Sequence, residues 1–287
     1  MIKVLVTGAK GQLGSSIKAM ISAFNEVTFE FIDIEELDLF DLDAIELFFK
    51  ENEYDYIVNC AAYTNVDKAE SDIENAELLN QGIPSILAKI CASQKTVLIH
   101  ISTDFVFDGS VKEPLNENDL VNPLSVYGKT KFEGEEAIKK ELESYFILRT
   151  SWLYSEYGNN FVKTMLRLGK DNDKLRVISD QFGTPTYASD LAEIILNIIS
   201  SRNSNFGLYH FSNNGETSWH GFAKKTFNLA QLDVTVEPIS SSEYVSAATR
   251  PKYSVLSKSK IRSELGIEIV DWDNSLAKCV KNLMLDQ

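Results

Sequence analysis

Short apolar runs alternate with longer stretches in which apolar residues recur every three or four positions through the first half of the chain. The first pattern predicts buried strands and the second predicts amphipathic helices. The predicted strands are residues 3–8, 27–33, 55–62, 96–102 and 144–152. The predicted helices are residues 11–24, 42–52, 74–94 and 126–142. This alternation predicts an α/β fold, a Rossmann-type doubly wound parallel sheet with helices on both faces.

The regular alternation loosens after about Trp152. Helical periodicity returns at residues 158–170, 188–201, 220–230, 257–265 and 272–285. Residues 181–186 (QFGTPT) indicate a turn-rich loop, and two short strands are predicted at residues 207–212 and 234–239. We therefore expect a smaller mixed α/β substrate-binding lobe. The predicted dinucleotide-binding domain is residues 1–151 plus roughly 187–212, and the predicted substrate-binding lobe is residues 152–186 and 213–287.

Composition and charge narrow the possible partners. The 287 residues are 44% hydrophobic and 24% charged, as in an ordinary globular protein. A formal net charge of -14 argues against nucleic acid or an anionic membrane as a partner. Cys60, Cys91 and Cys279 are widely spaced, which favours neither a disulfide framework nor a metal site. We expect a cytoplasmic protein without a bound metal, present as a monomer or a homodimer.

Three glycines separate the first predicted strand from the first predicted helix. Gly8, Gly11 and Gly14 in TGAKGQLG allow a sharp turn, a close backbone approach to a pyrophosphate and tight packing of the helix on the strand. A plain structural turn is the alternative. Asp33 favours the dinucleotide site, because it ends the next predicted strand at the distance expected of a ribose-binding acid.

The charges around Asp33 bear on the choice between NADPH and NADH. No Lys or Arg occurs between Thr28 and Phe49, whereas that stretch contains eight acidic residues, six of them between positions 33 and 43. A ribose 2′-phosphate would be repelled there, which favours NADH. Lys10, inside the glycine turn, is the nearby cation that could offset this repulsion. The sequence therefore leaves NADPH open as well.

A tyrosine and a lysine four residues apart form the second candidate site. Tyr127 and Lys131 would rise from the same face of the predicted helix 126–142. We expect the lysine ammonium to lower the pKa of the phenol toward neutrality, which would suit proton transfer. An exposed helix with ordinary surface charges is the alternative. The strand tip Ser102-Thr103-Asp104 argues against it, because strand ends open onto the ligand crevice of such a sheet.

Four motifs together resemble the extended branch of the short-chain dehydrogenase/reductase family: TGAKGQLG, NCAAYTNVDKAE, STDFVFDG and VYGKTK. The similarity continues through RTSWLY, GNNFVKTMLRL, QFGTPT, GLYHFS and RPKYSVL, so it covers nearly the whole chain. Within the branch it is closest to reductases of nucleotide sugars. The resemblance implies hydride transfer from NADPH or NADH to the C4 ketone of dTDP-4-dehydro-β-L-rhamnose, giving dTDP-L-rhamnose.

The resemblance also implies roles for particular residues. The catalytic residues would be Thr103, Tyr127 and Lys131. The cofactor would contact Gly8, Gly11, Gln12, Leu13, Gly14, Asp33, Asp38, Leu39, Ala61, Ala62, Tyr63, Tyr127 and Lys131. The substrate would contact Thr103, Asp104 and Trp152, although Trp152 could equally be a core residue.

Arg250 is the first candidate to bind the substrate diphosphate. Arginine binds such groups well, and the chain is otherwise acidic. Arg149 and Arg167 compete for that role. Polar loop residues could grip the substrate or merely form turns and caps. They are Asn159, Asn160, Gln181, Thr184 and Thr186.

Two departures from related patterns sharpen the expectation. Dehydratases of the same branch follow the threonine with Asp-Glu, whereas this chain reads Thr103-Asp104-Phe105. The missing second carboxyl favours simple reduction over elimination. Some family members form dimers bridged by magnesium through a glutamate just after the glycine turn, and Ser16 stands at that position here. We therefore expect no such metal bridge.

Three other functions stay open at this point. The fold and motifs are also similar to the regulatory β subunit of methionine adenosyltransferase, which is not a catalyst. An epimerase-like enzyme with permanently bound NAD is another alternative. A reductase of a different nucleotide-linked 4-keto-6-deoxy sugar is the third.

Overall fold

The computed structural model describes residues 1–285 and has an α/β architecture in two lobes. Its strands are β1 (Ile2–Thr7), β2 (Val27–Ile32), β3 (Tyr56–Asn59), β4 (Val97–Thr103), β5 (Tyr145–Thr150), β6 (Leu153–Tyr154), β7 (Lys174–Ile178), β8 (Phe182–Gly183), β9 (Thr186–Tyr187), β10 (Gly207–His210), β11 (Thr217–Ser218) and β12 (Thr235–Ile239). Its helices are α1 (Gln12–Met20), α2 (Leu42–Glu51), α3 (Val66–Ala69), α4 (Ile73–Glu77), α5 (Ile83–Gln94), α6 (Val126–Glu141), α7 (Phe161–Asp171), α8 (Ala188–Ser200), α9 (Trp219–Leu229), α10 (Ser259–Leu265) and α11 (Trp272–Leu285). A π-helical turn, Leu78–Gly82, joins α4 to α5.

The larger lobe is built on a parallel sheet in the order β10-β5-β4-β3-β1-β2. β2 lies on one side of β1 and β3 on the other, so the direction of winding reverses at β1. This confirms the predicted doubly wound fold. Ligands of such sheets bind beyond the carboxyl ends of the strands at the point of reversal.

Alternate residues of the strands supply two separate apolar layers. On one face Val4 and Val6 of β1 pack in a core that also contains Ile17 of α1 and Ile195 of α8. Leu5 belongs to the opposite core, which includes residues of α2, α5 and α6. Successive side chains of a strand point to opposite faces, so one apolar run serves both layers.

The smaller lobe contains α7, α9 and α11 together with three pairs of short strands. β7 and β12 are parallel, β6 and β9 are parallel, and β8 and β11 are antiparallel. Phe222 of α9 and Leu276 of α11 are fully buried at its centre. Aromatic side chains, including Trp152, Phe161 and Trp219, surround them.

The second half of the chain differs in detail from the sequence expectation. β7 lies where no element was predicted; only Val177 of this strand is buried, so it carries little periodic signal. β8 and β9 fall within the stretch 181–187, most of which was predicted as a loop. Ile261 of α10 is buried in the core of the larger lobe, although its segment was assigned to the smaller one. Helical periodicity shows that α10 has an apolar face but not which core that face joins.

Within residues 1–285, no helix is both long enough and apolar enough to cross a membrane.

Candidate active site

A cleft of about 720 Å³ lies over the carboxyl ends of β1, β3, β4 and β5. It brings together most of the residues singled out from the sequence. Those that line it are Gly8, Gly11, Gln12, Leu13, Asp33, Asp38, Leu39, Ala61, Ala62, Thr103, Asp104, Phe105, Tyr127, Lys131 and Trp152. Gly14, Tyr63 and Arg250 are not among the lining residues.

The glycine turn is shaped for close backbone contact. Gly8 has φ +63°, and a Cβ there would lie 2.8 Å from the amide nitrogen of Ala61. A Cβ at Gly14 would lie 2.5 Å from the carbonyl oxygen of Gly8, so Gly14 packs beneath the turn. Gly11 precedes α1 and makes no side-chain cap, which leaves the first N–H groups of the helix open to an anion. The turn therefore fits the pyrophosphate of a dinucleotide.

Asp33 follows β2 and faces the glycine turn. Its carboxylate accepts hydrogen bonds from the backbone N–H of Lys10 (2.8 Å) and of Ile34 (2.9 Å). The Lys10 ammonium forms an ion pair with Glu35 at 2.5 Å, with both side chains exposed. This pairing raises the pKa of Lys10 and lowers that of Glu35. The cation expected to offset the acidic cluster is thus already engaged by one of its members.

Thr103 and Asp104 lie at the tip of β4. The Thr103 hydroxyl accepts from the backbone N–H of Phe105 (3.1 Å) and donates to Asp104 Oδ1 (3.2 Å). Asp104 is buried, and its Oδ2 has no hydrogen-bond partner. Burial raises the pKa of this carboxyl to about 7, against hydrogen bonds from Ser254 and Thr103 that act in the opposite direction. A half-satisfied buried carboxyl beside a cleft is suited to a polar ligand group.

The start of α6 places Tyr127 beside this strand tip. Ser125 caps the helix by accepting from the N–H of Gly128 at 3.1 Å. Gly128 lies directly against the carbonyl oxygen of Phe105, where a Cβ would collide. The Phe105 ring then packs edge-on against the Tyr127 ring, with centroids 5.5 Å apart. Phe105 therefore positions the tyrosine, and it supplies no carboxyl of its own.

The pKa of Tyr127 differs from the sequence expectation. Burial raises it to about 12, and the nearby Thr103 side chain acts in the opposite direction. The prediction that Lys131 lowers the pKa of Tyr127 is wrong, because burial desolvates the phenolate and this effect dominates. Tyr127 is consequently held in its protonated form near neutrality. Thr103 and Tyr127 both line the cleft, and the convergence of their hydroxyls on one carbonyl oxygen stays a prediction.

Lys131 is buried beneath the cleft and directed at β4. Its Nζ donates to the carbonyl oxygen of Ile101 at 2.6 Å and lies 3.2 Å from His100 Nε2. His100 contacts Asn59 at 3.1 Å, and Asn59 accepts from the Thr7 hydroxyl at 2.7 Å. Burial lowers the pKa of Lys131 to about 8 and that of His100 well below its usual value. Lys131 thus stays mainly an ammonium at pH 7 beside a neutral imidazole.

Trp152 lines the cleft from the loop that follows β5. Its ring stacks on Trp219 with centroids 3.5 Å apart and an interplanar angle of 9°. The core-packing alternative applies, because the indole joins the aromatic cluster of the smaller lobe. Contact of Trp152 with a ligand stays a prediction.

None of the three candidate arginines is free in the cleft. Arg250 forms a two-contact ion pair with Asp67, at 2.7 Å and 3.2 Å. Arg149 is 1% exposed and paired with Glu135 at 2.6 Å, so it is part of the interior. Arg167 lies on the exposed face of α7 and is not among the lining residues.

The polar loop residues divide between the cleft and the scaffold. Asn159 lines the cleft. Asn160 caps α7 and donates to the Gln12 side chain at 3.0 Å, and thereby joins the smaller lobe to the glycine turn. Thr184 and Thr186 make internal hydrogen bonds, and Gln181 is buried away from the cleft.

Two other predicted positions have local roles. The Tyr63 hydroxyl donates to Asp72 at 2.8 Å, which directs this ring away from the cleft that Ala61 and Ala62 line. Ser16 is 1% exposed and donates to the carbonyl oxygen of Gln12 at 2.9 Å within α1. The predicted lack of a magnesium bridge stays a prediction.

Several lining residues were not singled out from the sequence. Ile34 and Phe40 flank the acidic segment and are 59% and 41% exposed, which is unusual for large apolar side chains. Thr64 and Ser151 follow β3 and β5. The available signal was their position just beyond strand ends, since that edge of the sheet forms the ligand crevice.

The family described as "RmlD substrate binding domain" matches residues 2–285 of this chain. A dTDP-4-dehydrorhamnose reductase of Aggregatibacter actinomycetemcomitans is 37% identical, with 96% of this chain and 97% of that protein covered. A dTDP-4-keto-6-deoxy-D-glucose reductase of Streptomyces niveus is 34% identical, with 99% and 98% covered.

Solved structures agree with these sequence relationships. A dTDP-4-dehydrorhamnose reductase of Clostridium acetobutylicum superposes with a TM-score of 0.95 at 42% identity, covering 99% of this chain and 100% of that one. A dTDP-4-dehydrorhamnose reductase of Bacillus anthracis, in complex with NADP, gives a TM-score of 0.93 at 37% identity, covering 100% and 99%.

Proposed function

Because this chain belongs to the family of the RmlD substrate-binding domain, we propose that it is an NAD(P)H-dependent sugar-nucleotide 4-ketoreductase. Its reaction is reduction of dTDP-4-dehydro-β-L-rhamnose to dTDP-L-rhamnose, in keeping with the relatives that are named dTDP-4-dehydrorhamnose reductase. The observation that carries the proposal is that Thr103, Tyr127 and Lys131 line the same cleft as the glycine turn.

The cofactor is NADPH or NADH, and backbone N–H groups of α1 together with the Asp33 carboxylate would bind it. The N-terminus of α1 binds the pyrophosphate, and Asp33 lies where the adenosine ribose would be recognised. The bound nicotinamide supplies a hydride to the substrate carbon. Lys10 is the cation available to a 2′-phosphate, and the NADP-bound relative supports use of NADPH.

Thr103 and Tyr127 stabilise the oxygen that becomes negative as the ketone is reduced. The Thr103 hydroxyl donates a hydrogen bond to that oxygen, and Tyr127 Oη transfers its proton there. A tyrosine with a pKa of about 12 enters the reaction fully protonated, as reduction requires. Lys131, mainly an ammonium at pH 7 and lining the same cleft, is positioned to bind the nicotinamide ribose.

Asp104 and Trp152 are proposed to bind the sugar. The unpartnered Oδ2 of Asp104 is available to a sugar hydroxyl, and the Trp152 indole offers an apolar surface to the hexose. Phe105 occupies the position at which an elimination would need a second carboxyl. The site is therefore arranged for reduction and not for dehydration.

A coupled assay tests the proposed reaction. The pure protein is mixed with NADPH and dTDP-4-keto-6-deoxyglucose, with and without the matching 3,5-epimerase, and absorbance of the reduced nicotinamide is followed. Oxidation of NADPH that requires the epimerase is the expected result. Oxidation without the epimerase would instead identify a reductase like the Streptomyces niveus relative.

The same assay separates the remaining alternatives. No consumption with either substrate would favour a regulatory subunit. A nicotinamide cofactor that stays bound and is not consumed would favour an epimerase. We further propose that the enzyme is a cytoplasmic monomer or homodimer that does not bind nucleic acid, in keeping with its net charge of -14.

A further inference from the structure

Trp152 has an unusual backbone conformation for a residue with a large side chain. Its φ is +47°, in the left-handed region that glycine normally occupies. Such a conformation persists only where the surrounding structure enforces it, and it is found at ligand sites. The contacts of the Trp152 indole therefore need an explanation.

A pair of short strands in the smaller lobe supplies those contacts. β8 and β11 pair so that Thr217 lies opposite Gly183 and Ser218 opposite Phe182. Trp219, the next residue, begins α9, which Ser218 caps by accepting from the N–H of Gly221 at 3.1 Å. This register brings Trp219 and Gly183 to the same place in the lobe.

The Trp152 indole lies between these two residues. Its face stacks on Trp219 at a centroid distance of 3.5 Å and an angle of 9°. Its edge lies on Gly183, where a Cβ would come within 2.7 Å of Trp152 Cε2. The Phe161 ring, 4.7 Å from Trp219, supports the stack from behind. We call the site formed by Trp219 and Gly183 the indole slot.

Among the described residues, Trp152 lines the cleft and neither Trp219 nor Gly183 does. We propose that the indole slot holds Trp152 in place for the hexose ring of the nucleotide sugar, so that Trp219 is a positioning residue for substrate binding. This inference rests on the proposed function, because it assigns the sugar end of the substrate to Trp152. The cofactor and the proton-transfer groups lie on the larger lobe and do not depend on the slot.

The stack can be observed without any substrate. The chain has three tryptophans, Trp152, Trp219 and Trp272, so protein labelled with 5-fluorotryptophan has one ¹⁹F resonance for each. Single Trp→Phe variants assign them. In Trp219→Phe the Trp152 resonance should shift toward its unfolded position, because the ring current of the stacked indole is lost. Trp272→Phe is the matched control, since Trp272 packs edge-on against Phe222 in the same lobe and does not stack on Trp152.

Steady-state kinetics then test what the slot does. Trp219→Phe should raise KM for the nucleotide sugar about two- to tenfold, the range expected from one aromatic pair, with kcat within about twofold. The Kd for NADPH should not change. Trp272→Phe should leave all three constants as they are. An equal rise of KM in Trp272→Phe, or an unchanged KM in Trp219→Phe despite a shifted Trp152 resonance, would overturn the proposal.

Gly183→Ala tests the other side of the slot and covers the case in which Trp219→Phe does not fold. The added methyl group should displace the indole, shift the Trp152 resonance and raise KM while Trp219 is intact. Unchanged KM in this variant also counts against the slot. Failure of the proposed function would be seen differently: the wild-type protein would then turn over no nucleotide sugar, while its ¹⁹F spectrum still reported the stack.

Discussion

Tyr127 is the side chain on which the proposed proton transfer depends. It lines the cleft together with Thr103, and burial raises its pKa to about 12. We predict that Tyr127→Phe lowers kcat by about 10²- to 10⁴-fold, because the general acid is lost while the ring contact with Phe105 is kept. The Kd for NADPH, measured by fluorescence titration, should stay within about twofold.

Tyr244→Phe is the control for that substitution, since Tyr244 is 55% exposed and lies outside the cleft lining. Turnover by Tyr127→Phe close to that of the wild type would assign the proton donor to another group, and Asp104 would be the first candidate.

Asp104 gives the protein a pH-dependent stability of known sign. Its pKa rises from 3.8 in the reference state to about 7 in the fold, because the carboxyl is buried. Between these values the native state binds more protons than the unfolded state, so stability falls as pH rises, by up to about 1.4 kcal/mol per pH unit. We predict that Asp104→Asn removes this dependence.

Thermal unfolding of wild type and Asp104→Asn at pH 5 and pH 8 measures the effect. The free energy of unfolding of the variant minus that of the wild type should be larger at pH 8 than at pH 5. A difference between the two proteins that does not vary with pH would mean that Asp104 is ionised throughout this range.

Glu35 would compete with the 2′-phosphate of NADPH for Lys10, the cation that the sequence places near Asp33. Lys10 pairs with Glu35 at 2.5 Å in an exposed position, where such pairs contribute modestly. We predict that Glu35→Gln lowers KM for NADPH by up to about fivefold and leaves KM for NADH unchanged. Glu46→Gln breaks a comparable exposed pair with Lys50 and serves as the control. A parallel change in both cofactors would show that Lys10 does not reach the 2′-phosphate.

At the level of elements, the start of α6 packs against the turn after β4, and both segments contribute a hydroxyl residue, Tyr127 and Thr103, to the cleft. Gly128 lies against the carbonyl oxygen of Phe105, with no room for a methyl group. We predict that Gly128→Ala pushes α6 away from this turn and costs at least tenfold in kcat/KM together with a lower Tm.

Gly82→Ala is the matched control, because its nearest neighbour is the flexible side chain of Leu78 at 3.2 Å. Alanine in that helical segment should be neutral or stabilising, by up to about 1 kcal/mol. If both substitutions behaved alike, the close approach at Gly128 would not be what positions Tyr127.

For the whole molecule, Arg250 connects the smaller lobe to α3 through Asp67. This ion pair, chiefly the hydrogen bond from Arg250, lowers the pKa of Asp67 to about 2. We predict that Arg250→Met and Asp67→Asn both increase proteolysis within residues 241–250 and raise KM for the nucleotide sugar to a similar extent. Lys174→Met, which breaks the exposed pair with Glu237, should do neither.

The two variants also distinguish two roles for Arg250: an ion pair that joins the smaller lobe to α3, and the predicted contact with the substrate diphosphate. If Arg250 binds the diphosphate directly, Asp67→Asn releases the guanidinium and should not raise KM, whereas Arg250→Met should raise it strongly. Limited proteolysis and KM for the two variants, measured side by side, decide between these roles.

The sequence alone determined the sheet and the glycine turn, and it singled out the candidate reacting groups. Alternating apolar runs fix which residues can be buried, and three glycines fix a backbone path that few other residues allow. Thr103 was singled out because it ends a predicted strand. Tyr127 and Lys131 were singled out because they lie four residues apart on a predicted helix. These features are local, so they can be read from neighbouring residues.

Only the tertiary structure decided how those groups are held and charged. Burial, and not Lys131, sets the pKa of Tyr127; Asp67 engages Arg250; and Trp219 stacks on Trp152 across 67 positions of sequence. Each outcome depends on desolvation or on a partner from a distant element. Such partners meet only when the chain is folded, and no periodicity in the sequence encodes them.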